Sequence, residues 1–450
     1  MDNSFNTFFK SLLEQLGLSL SSDLSVDQIR FIISKINEYF YTNYDGIGNT
    51  DTLGSNYEYL SKFHKFWEKN NKKILNPNID DKQCEKSAEV LHQVYVKYGR
   101  NVFYELYDTF SLKPEEICKI RYFSAIQDFR GSRDFEKLFN IYKSNPSIFD
   151  KSNVYENPVR FLESIKITNL SQIEKRKKFA SVASKILIDA GIEPFNLFDH
   201  FGKDIFELRK FLLANQGSGF GNKKTDMFLR DMVLLGVWKN PKNFDKIDVA
   251  SDMNTVKVAL RSRILQTEIP LVSSFIDIFC HQYTLIDKMN ALAWREVWEK
   301  WRIKYPNECI ESPCLIDYFV YRIIGREFCK ESLYVFKCES ENHTFKWHTA
   351  QNKKCQICLT KGIKNKASIL DKILPCTDED GNIAIENSEY VTGENAILCG
   401  IKECPFTVVC NPKDSSFVKL NPPKSISILG QTGWNSARTR KGEGGGGLMS

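Results

Sequence analysis

The sequence predicts a mainly helical protein that ends in a small cysteine-rich domain with short strands. Between Pro114 and Leu235, apolar residues recur at a spacing of about 3.6 residues in successive segments, and the connections between them are short and polar. After Tyr334 the chain changes to short β-prone runs, turns and cysteines. Ten of the 13 cysteines lie beyond residue 300, so they mark this C-terminal part of the chain.

The composition favours a soluble intracellular protein. The 450 residues suffice for two or three domains, and a 42% hydrophobic content supplies a sizeable core. Because there is no run of about 18 apolar residues and no signal-like N-terminus, we expect no membrane span and no secretion. The odd, uneven cysteine count favours a reducing compartment and metal binding over disulfides. We also expect a monomer.

Charge is mild overall but locally concentrated. The net charge is +6, with basic clusters at residues 174–178, 361–372 and 438–441. Such clusters suit a polyanionic partner, although an ordinary solvated helix face is the commoner explanation of any one of them.

Five regions follow along the chain. Residues 1–112 are predicted to be helices broken by turn-rich loops, residues 113–246 a helical barrel, and residues 247–333 a further helical region. Residues 334–420 form the cysteine-rich domain and residues 421–450 a basic, glycine-rich tail. The predicted helices are Glu115 to Phe129, Asp134 to Lys143, Asn157 to Ile167, Ser171 to Ala190, Phe195 to Phe201, Val256 to Leu265, Leu271 to Phe279, Tyr283 to Tyr305 and Leu315 to Phe328. Trp294, Trp298 and Trp301 recur at helical spacing, which predicts a buried stripe.

A glycine-rich bend separates two helical patterns within residues 205–235. Gly217, Gly219 and Gly221 permit positive φ angles and leave backbone amides uncovered, and Lys223 and Lys224 follow at the start of the second helix. Amides at the positive end of a helix bind anions, and in a DNA complex that anion is a backbone phosphate. A plain helix cap and turn explains the glycine spacing alone equally well. No β-α-β unit surrounds the bend, so it is not a dinucleotide fingerprint.

The cysteine-rich region contains a candidate metal site. Cys338, His343, Cys355 and Cys358 place a close Cys-x2-Cys pair beside another thiol and an imidazole, which is typical of structural Zn²⁺, while His348 competes with His343 as the nitrogen ligand. A second set is either another zinc site or a group of buried thiols: Cys376, Cys399, Cys404 and Cys410. The spacing does not suit an iron–sulfur loop with four cysteines in one short segment.

The tail combines four consecutive glycines with Arg438, Arg440 and Lys441. Four glycines in a row indicate a flexible segment. The sharper alternative is an arm whose three cations bind phosphate.

The run from Gly219 to Asp226 resembles the helix-hairpin-helix motif of the base-excision DNA glycosylase superfamily (HhH-GPD). In its lysine-bearing, 8-oxoguanine DNA glycosylase-like branch the hairpin reads Gly-x-Gly-x-Lys, and here Gly219, Gly221, Lys223 and Asp226 fall on the pattern, with Thr225 where alanine is usual. Asp252 stands where that branch carries an aspartate, although its simplest interpretation is a helix N-cap. The leading Leu-Pro is replaced by Gly217-Ser218, and Asn254 stands where histidine is frequent.

The resemblance implies a two-lobed helical fold, with residues 1–112 and 247–330 forming the second lobe and the cysteine-rich domain an addition. It implies double-stranded DNA as partner and a monovalent cation at the hairpin. Lys223 would attack C1′ of a flipped nucleotide, with its pKa lowered by burial and by Lys224, and Asp252 would stabilise positive charge on the sugar.

Three functions follow from these observations. The first is a DNA glycosylase with AP lyase activity that excises a damaged or modified base. The second is a non-catalytic DNA- or RNA-binding module that uses the hairpin and the zinc domain, and the third is an N-glycosidase of modified free nucleosides.

Overall fold

The computed structural model is mainly helical, with small antiparallel sheets towards the C-terminus. It describes residues 4–18, 24–42, 66, 69–104, 112–128, 135–167, 172–268, 284–329, 333–347, 353–373, 376–377, 383–384, 400–401, 403–410 and 418–419. The predicted fold class is confirmed at this level, and the two-lobed glycosylase-like arrangement stays a prediction. None of the helices in the described ranges combines the length and apolar character needed to cross a bilayer.

The helices run in chain order as follows: α1 Ser4–Gln15, α2 Val26–Thr42, α3 Asp81–Tyr98, α4 Pro114–Ala125, α5 Phe135–Ser144, α6 Lys151–Glu156, α7 Pro158–Ser164, α8 Ile173–Asp189, α9 Leu197–His200, α10 Ile205–Ala214, α11 Asn222–Leu234, α12 Met253–Arg261, α13 Thr284–Lys304, α14 Gln356–Thr360 and α15 Thr407–Cys410. A single α turn, Ile316–Tyr318, continues as the π-helix Phe319–Phe328 before α14.

The strands are short and lie in three antiparallel sheets. Their bounds are β1 Asn78–Ile79, β2 Leu265–Gln266, β3 Leu333–Cys338, β4 Thr344–Trp347, β5 Ala367–Ile373, β6 Cys376–Thr377, β7 Ile383–Ala384 and β8 Val418–Lys419. The sheet orders are β1-β2, β4-β3-β5 and β7-β6-β8. In the second sheet Cys338 pairs with Ala367, which places the end of β3 beside the start of β5.

The chain divides into two compact units. The first consists of Met1–Gly99, Met253–Pro306 and Val320–Gly444, and the second of Arg100–Asp252, Asn307–Phe319 and Gly445–Ser450. The glycine-rich hairpin belongs to the second unit, and the cysteine-rich region belongs to the first.

In the first unit α13 packs along α3, and the predicted tryptophan stripe lies in this core. Trp294, Trp298 and Trp301 are all buried, which confirms the prediction from their spacing. Trp294 also donates its indole N–H to the carbonyl of Thr255 in α12, at 3.3 Å. One hydrogen bond at the edge of a large buried ring satisfies its polar group while the ring fills the core.

In the second unit a buried charge network holds α11 in place. Asp231 accepts from Arg121 of α4 and, at 2.8 Å, from the neighbouring Arg230, which also pairs with Asp317. All four side chains are less than a tenth exposed. Removing one partner of such a network leaves a buried charge unpaired, at a cost of roughly 3–5 kcal/mol, so the network fixes α11, the second helix of the hairpin.

Several predicted helices differ from those observed. The helix predicted over Val256 to Leu265 is observed as α12, Met253–Arg261. It ends at Arg261 because Arg263 adopts a left-handed φ of 62°. Leu265 belongs to β2, where it pairs with Ile79 of β1. The helix predicted over Leu271 to Phe279 lies outside the described residues. The region boundaries near residues 112, 246, 333 and 420 stay predictions.

Candidate functional site

The glycine-rich bend joins α10 to α11 as the periodicity predicts. Gly217 and Gly219 have φ angles of 83° and 88°, in the left-handed region that favours glycine. Gly221 differs, since its φ of −98° and ψ of 175° are extended and any residue adopts them. Two of the three glycines are therefore required by the backbone, and the third is the residue from which α11 begins.

Gly219 is also required by packing. A Cβ built on Gly219 would lie 2.9 Å from the Phe179 ring and 3.1 Å from Cβ of Ile126. The same construction at Gly221 meets nothing within 4 Å. Phe179 belongs to α8 and Ile126 directly follows α4, so the bend is pressed against two other helical elements of its unit.

The amides of the bend are partly used within the protein. Ser218 donates its amide to Asn215, and Gly221 donates to the carbonyl of Gly219 at 3.2 Å. Gly219 donates to no other residue in the part of the chain that the structure describes. Gly221, as N-cap of α11, has no side chain to cover the first-turn amides. The amides left without an internal acceptor at the bend are therefore those of Gly219 and the start of α11 rather than that of Gly221.

Lys224 connects the bend to α4. Its Nζ donates to the carbonyl of Ile126 at 2.8 Å and lies 5.1 Å from the centroid of the Phe179 ring. The pKa of Lys224 is lowered to about 7, chiefly by burial and also by the positive charges of Arg176 and Lys223, while the carboxylate of Asp128 opposes the shift. Near neutral pH this amine is therefore partly uncharged.

Lys223 behaves differently from the prediction. It is the second residue of α11 and its side chain is exposed, so the predicted burial of Lys223 is wrong. The physical reason is helix geometry: adjacent helical positions point about 100° apart, so only one of two neighbouring lysines faces the interior. Lys224 takes that interior position.

The basic segment of α8 lies beside the bend. The end of the Lys178 side chain comes within 3.2 Å of a Cβ built on Gly217. Lys175 lies over the same Phe179 ring as Lys224, at 5.7 Å from its centroid. Lys175 and Lys178 are exposed. The basic cluster at residues 174–178 and the glycine-rich bend, which are separate features of the sequence, thus form one surface, here called the hairpin surface: Gly217, Gly219, Lys175, Lys178 and Lys223.

Asp226, which matches the aspartate of the hairpin pattern, has a structural role. It is 3% exposed and accepts two hydrogen bonds from Arg209 of α10, one of them at 2.9 Å. Arg209 also donates to Asn222 at 3.3 Å. A bidentate arginine–carboxylate pair fixes both distance and orientation, so this pair clamps the two helices on either side of the bend.

Asp252 lies directly before α12, at the predicted N-terminal edge of that helix. It is partly buried and follows the buried Ser251. Asp252 and Lys223 belong to the same unit. Their catalytic roles stay predictions.

The second site is the cysteine–histidine cluster predicted from spacing. Donor atoms of Cys338, His343, Cys355 and Cys358 all lie within 4.8 Å of one another. The sulfurs of Cys338 and Cys358 are 3.9 Å apart, and Nε2 of His343 is 3.1 Å from the sulfur of Cys355. Ligands about 2.3 Å from a tetrahedral zinc ion stand about 3.8 Å from one another. The arrangement is therefore compatible with a zinc site.

Short elements build this cluster. Cys338 ends β3, His343 directly precedes β4, and Cys355 and Cys358 flank the start of α14. The stacked rings of Phe336 and Phe345, with centroids 5.3 Å apart, pack with the cysteines of the cluster in one small hydrophobic core.

Hydrogen bonds to sulfur complete the surroundings of the cluster. The side-chain amide of Asn365 donates to the sulfur of Cys358 at 3.3 Å, and the Cys358 amide donates to Cys355 at 3.4 Å. Burial raises the pKa of Cys355 to about 11. At Cys338 burial also acts to raise the pKa of the thiol, but hydrogen bonds from the backbone amides of the following turn outweigh it and lower this pKa. Asn365 gave no signal in the sequence, because an outer hydrogen bond to a ligand has no fixed spacing.

The remaining predicted residues divide into two groups. Cys404 and Cys410 are partly buried free thiols. Outside the described residues, or described without their side chains, are His348, Cys376, Cys399, Arg438, Arg440 and Lys441. Their proposed roles in metal or phosphate binding, and the monovalent cation, stay predictions.

Comparison with protein-family models and with curated proteins finds no match to this chain. The resemblance of the hairpin to the glycosylase superfamily therefore rests on the residues of the hairpin itself.

Proposed function

We propose that the chain is a DNA glycosylase with lyase activity that excises a damaged or modified base from double-stranded DNA. The observation that carries the proposal is the hairpin surface: two glycines in the left-handed region lead into α11, with exposed lysines from two helices around them. Amides at a helix start bind phosphate, and surrounding lysines release counterions from DNA.

The chemistry uses two side chains. The neutral amine of Lys223 attacks C1′ of a flipped nucleotide, the N-glycosidic bond breaks, and the base leaves with the bonding electrons and takes up a proton. The C1′ adduct opens to a Schiff base, from which β-elimination cleaves the strand. The carboxylate of Asp252 stabilises the positive charge that develops on the sugar.

Borohydride trapping tests the assignment of the nucleophile. Wild-type protein incubated with duplexes bearing oxidised purines is expected to form a covalent adduct, which Lys223→Gln loses. Lys185→Gln, on the exposed part of α8, serves as the matched lysine control and keeps the adduct. If Lys224→Gln abolishes trapping while Lys223→Gln does not, the nucleophile is Lys224, whose pKa of about 7 also supplies a neutral amine.

Release of bases tests the activity itself. The protein is incubated with genomic DNAs of different modification status, and the released bases are identified by mass spectrometry. Asp252→Asn is expected to lower the release rate by at least about tenfold while DNA binding persists. If wild-type protein releases no base from any DNA, the glycosylase proposal fails.

A non-catalytic DNA-binding module is the second candidate. The exposure of Lys223 favours it, because an exposed lysine beside the start of a helix is well placed to pair with a phosphate. In that case duplex binding depends on salt and on the hairpin surface, while trapping and base release are both absent.

We also infer that the cluster of Cys338, His343, Cys355 and Cys358 binds Zn²⁺ in a structural role. Four protein donors fill a tetrahedral shell and leave no position for a substrate or water. The inference is independent of the glycosylase proposal and is tested by metal analysis of the variants described in the Discussion.

A further inference from the structure

The chain around the second half of the cysteine–histidine cluster is rich in lysine. Residues 353–370 contain five lysines and no acidic residue. Two of the lysines precede α14 and three lie between α14 and β5, so none of them lies on a helix. All five are exposed: Lys353, Lys354, Lys361, Lys364 and Lys366. The solvated helix face that explains many basic clusters therefore does not apply to this one.

Backbone pairing brings two of these lysines together. Lys354 and Lys366 are partners in an antiparallel bridge. On either side of the pair, the amide of Cys355 donates to the carbonyl of Asn365 at 2.8 Å, and the amide of Ala367 donates to that of Lys353 at 3.0 Å. Partners that exchange no hydrogen bond of their own hold their Cα atoms about 4.5 Å apart and extend their side chains to the same side. The two lysines therefore start from neighbouring points of one surface.

Strand β3 adds a lysine to the same side of the sheet. Lys337 pairs with Thr344 of β4 and with Ser368 of β5, and Ser368 stands two residues after Lys366. Because alternate residues of a strand share a face, Lys337 and Lys366 lie on one face. The opposite face is buried and contains Phe336, Cys338, Phe345 and Ala367. The exposed face, together with the lysine two residues before Lys366, is here called the lysine face: Lys337, Lys354, Lys364 and Lys366.

Carboxylates of the protein offset little of this charge. Glu339 is the acidic residue in register with Lys366, since its amide donates to the Lys366 carbonyl at 3.0 Å. Among the residues that the structure describes, no ion pair joins Lys337, Lys364 or Lys366 to a carboxylate. Like charges directly opposite one another destabilise paired strands. Binding of a polyanion relieves that repulsion and releases counterions, so the face complements a chain of phosphates.

We propose that the lysine face binds the phosphate backbone of double-stranded DNA, in addition to the hairpin surface. The choice of DNA rests on the proposed glycosylase function. Residues 353–370 contain no aromatic residue, and the nearby Tyr334 and Trp347 pack against the core on the other face. Proteins bind single strands by stacking bases on aromatic rings, which this face does not offer. Contacts to phosphates alone add affinity without sequence specificity.

Salt titration of duplex binding by fluorescence anisotropy tests the proposal. The double variant Lys364→Gln/Lys366→Gln is expected to weaken binding roughly tenfold at low salt and to lower the slope of log affinity against log salt by about 2. Lys364→Arg/Lys366→Arg keeps both charges and is expected to retain the affinity and the slope. The matched control is Lys82→Gln/Lys86→Gln, which removes two exposed lysines of α3 that alternate with the acidic residues Asp81 and Glu85. It is expected to change neither quantity.

Folding of the double variant is checked by hydrogen exchange in β3 and β5. If protection is lost, Lys337→Gln takes its place, with an expected fall in slope of about 1. A folded double variant with the wild-type slope, or an unchanged slope in Lys337→Gln, overturns the proposal. Tighter binding of single-stranded DNA or of RNA than of duplex DNA, with the same loss of slope in the variant, overturns the choice of partner.

Base release measured on the same proteins separates this proposal from the glycosylase function. At saturating DNA the double variant is expected to release bases at the wild-type rate, because the lysine face contributes to binding and not to the chemical step. Wild-type release together with an unchanged slope in the double variant rejects the lysine face alone. No release by the wild type, together with the expected loss of slope, rejects the glycosylase alone.

Discussion

The cysteine–histidine cluster and the hairpin surface differ in how closely local sequence determines their geometry. In the cluster, Cys355 directly precedes α14 and Cys358 lies in its first turn, and the other two residues lie around a tight turn between paired strands. In the hairpin, the glycines determine the backbone conformation, but the orientation of each lysine depends on packing against α4 and α8. Local spacing therefore specifies the cysteine–histidine cluster more completely than a surface assembled from several helices.

The largest expected effect is loss of metal from the cluster. Cys355→Ala removes one of four donors, and structural zinc contributes roughly 10–16 kcal/mol of apparent binding free energy in small zinc domains. We expect loss of one zinc equivalent by elemental analysis and loss of protection in β3 and β5 by hydrogen exchange. Cys309→Ala is the matched control and keeps both. Full zinc content in Cys355→Ala would contradict the assignment.

A pair of glycine variants measures how far packing determines the hairpin. Gly219→Ala forces a side chain into the left-handed region and against Phe179, which is expected to cost roughly 2–4 kcal/mol of unfolding free energy. Gly221→Ala, in extended backbone and open space, is expected to change it by less than about 0.5 kcal/mol. Urea denaturation gives both values. Equal losses in the two variants would show that the bend is not pressed against α8.

The two lysines are distinguished by the pH dependence of stability. Because Lys224 has a pKa of about 7 in the folded protein and about 10.4 when unfolded, the unfolded state binds more protons between these values. Its contribution is therefore unfavourable below pH 7 and diminishes as the pH rises towards 10. Lys224→Met is expected to remove roughly 2 kcal/mol of this pH-dependent gain, measured by urea denaturation across the window.

Lys223→Met is the control for that measurement. Because the charge of Lys223 is one of the smaller causes that lower the pKa of Lys224, Lys223→Met is expected to reduce the pH dependence by less than Lys224→Met does. If the Lys223 variant loses the pH dependence and the Lys224 variant keeps it, the positions of the two amines are reversed.

The smallest expected effect concerns phosphate contact by a single lysine. Lys178→Gln, beside Gly217, is expected to weaken duplex binding a few-fold and to lower the slope of log affinity against log salt by about 1. Lys185→Gln, on the same helix and paired with Asp189, is expected to change neither. Salt titrations by fluorescence anisotropy measure both. An unchanged slope in Lys178→Gln removes this lysine from the interface.

Structural features were predicted correctly where residues close together in the chain determine them. The tryptophan stripe, the helix–bend–helix and the four residues of the cluster all follow from short-range spacing. Prediction failed where packing between distant segments decides, because Lys224 rather than Lys223 packs against α4 and α8. No periodicity or motif relates residues so far apart in the chain.

The β4-β3-β5 sheet and the cysteine–histidine cluster lie in one continuous segment of the chain, which has a consequence for synthesis. All three strands of the sheet, and all four residues of the cluster, lie between Leu333 and Ile373. During synthesis this segment leaves the ribosome before Cys404 does. The cysteine–histidine cluster can therefore fold from neighbouring strands before the later cysteines leave the ribosome.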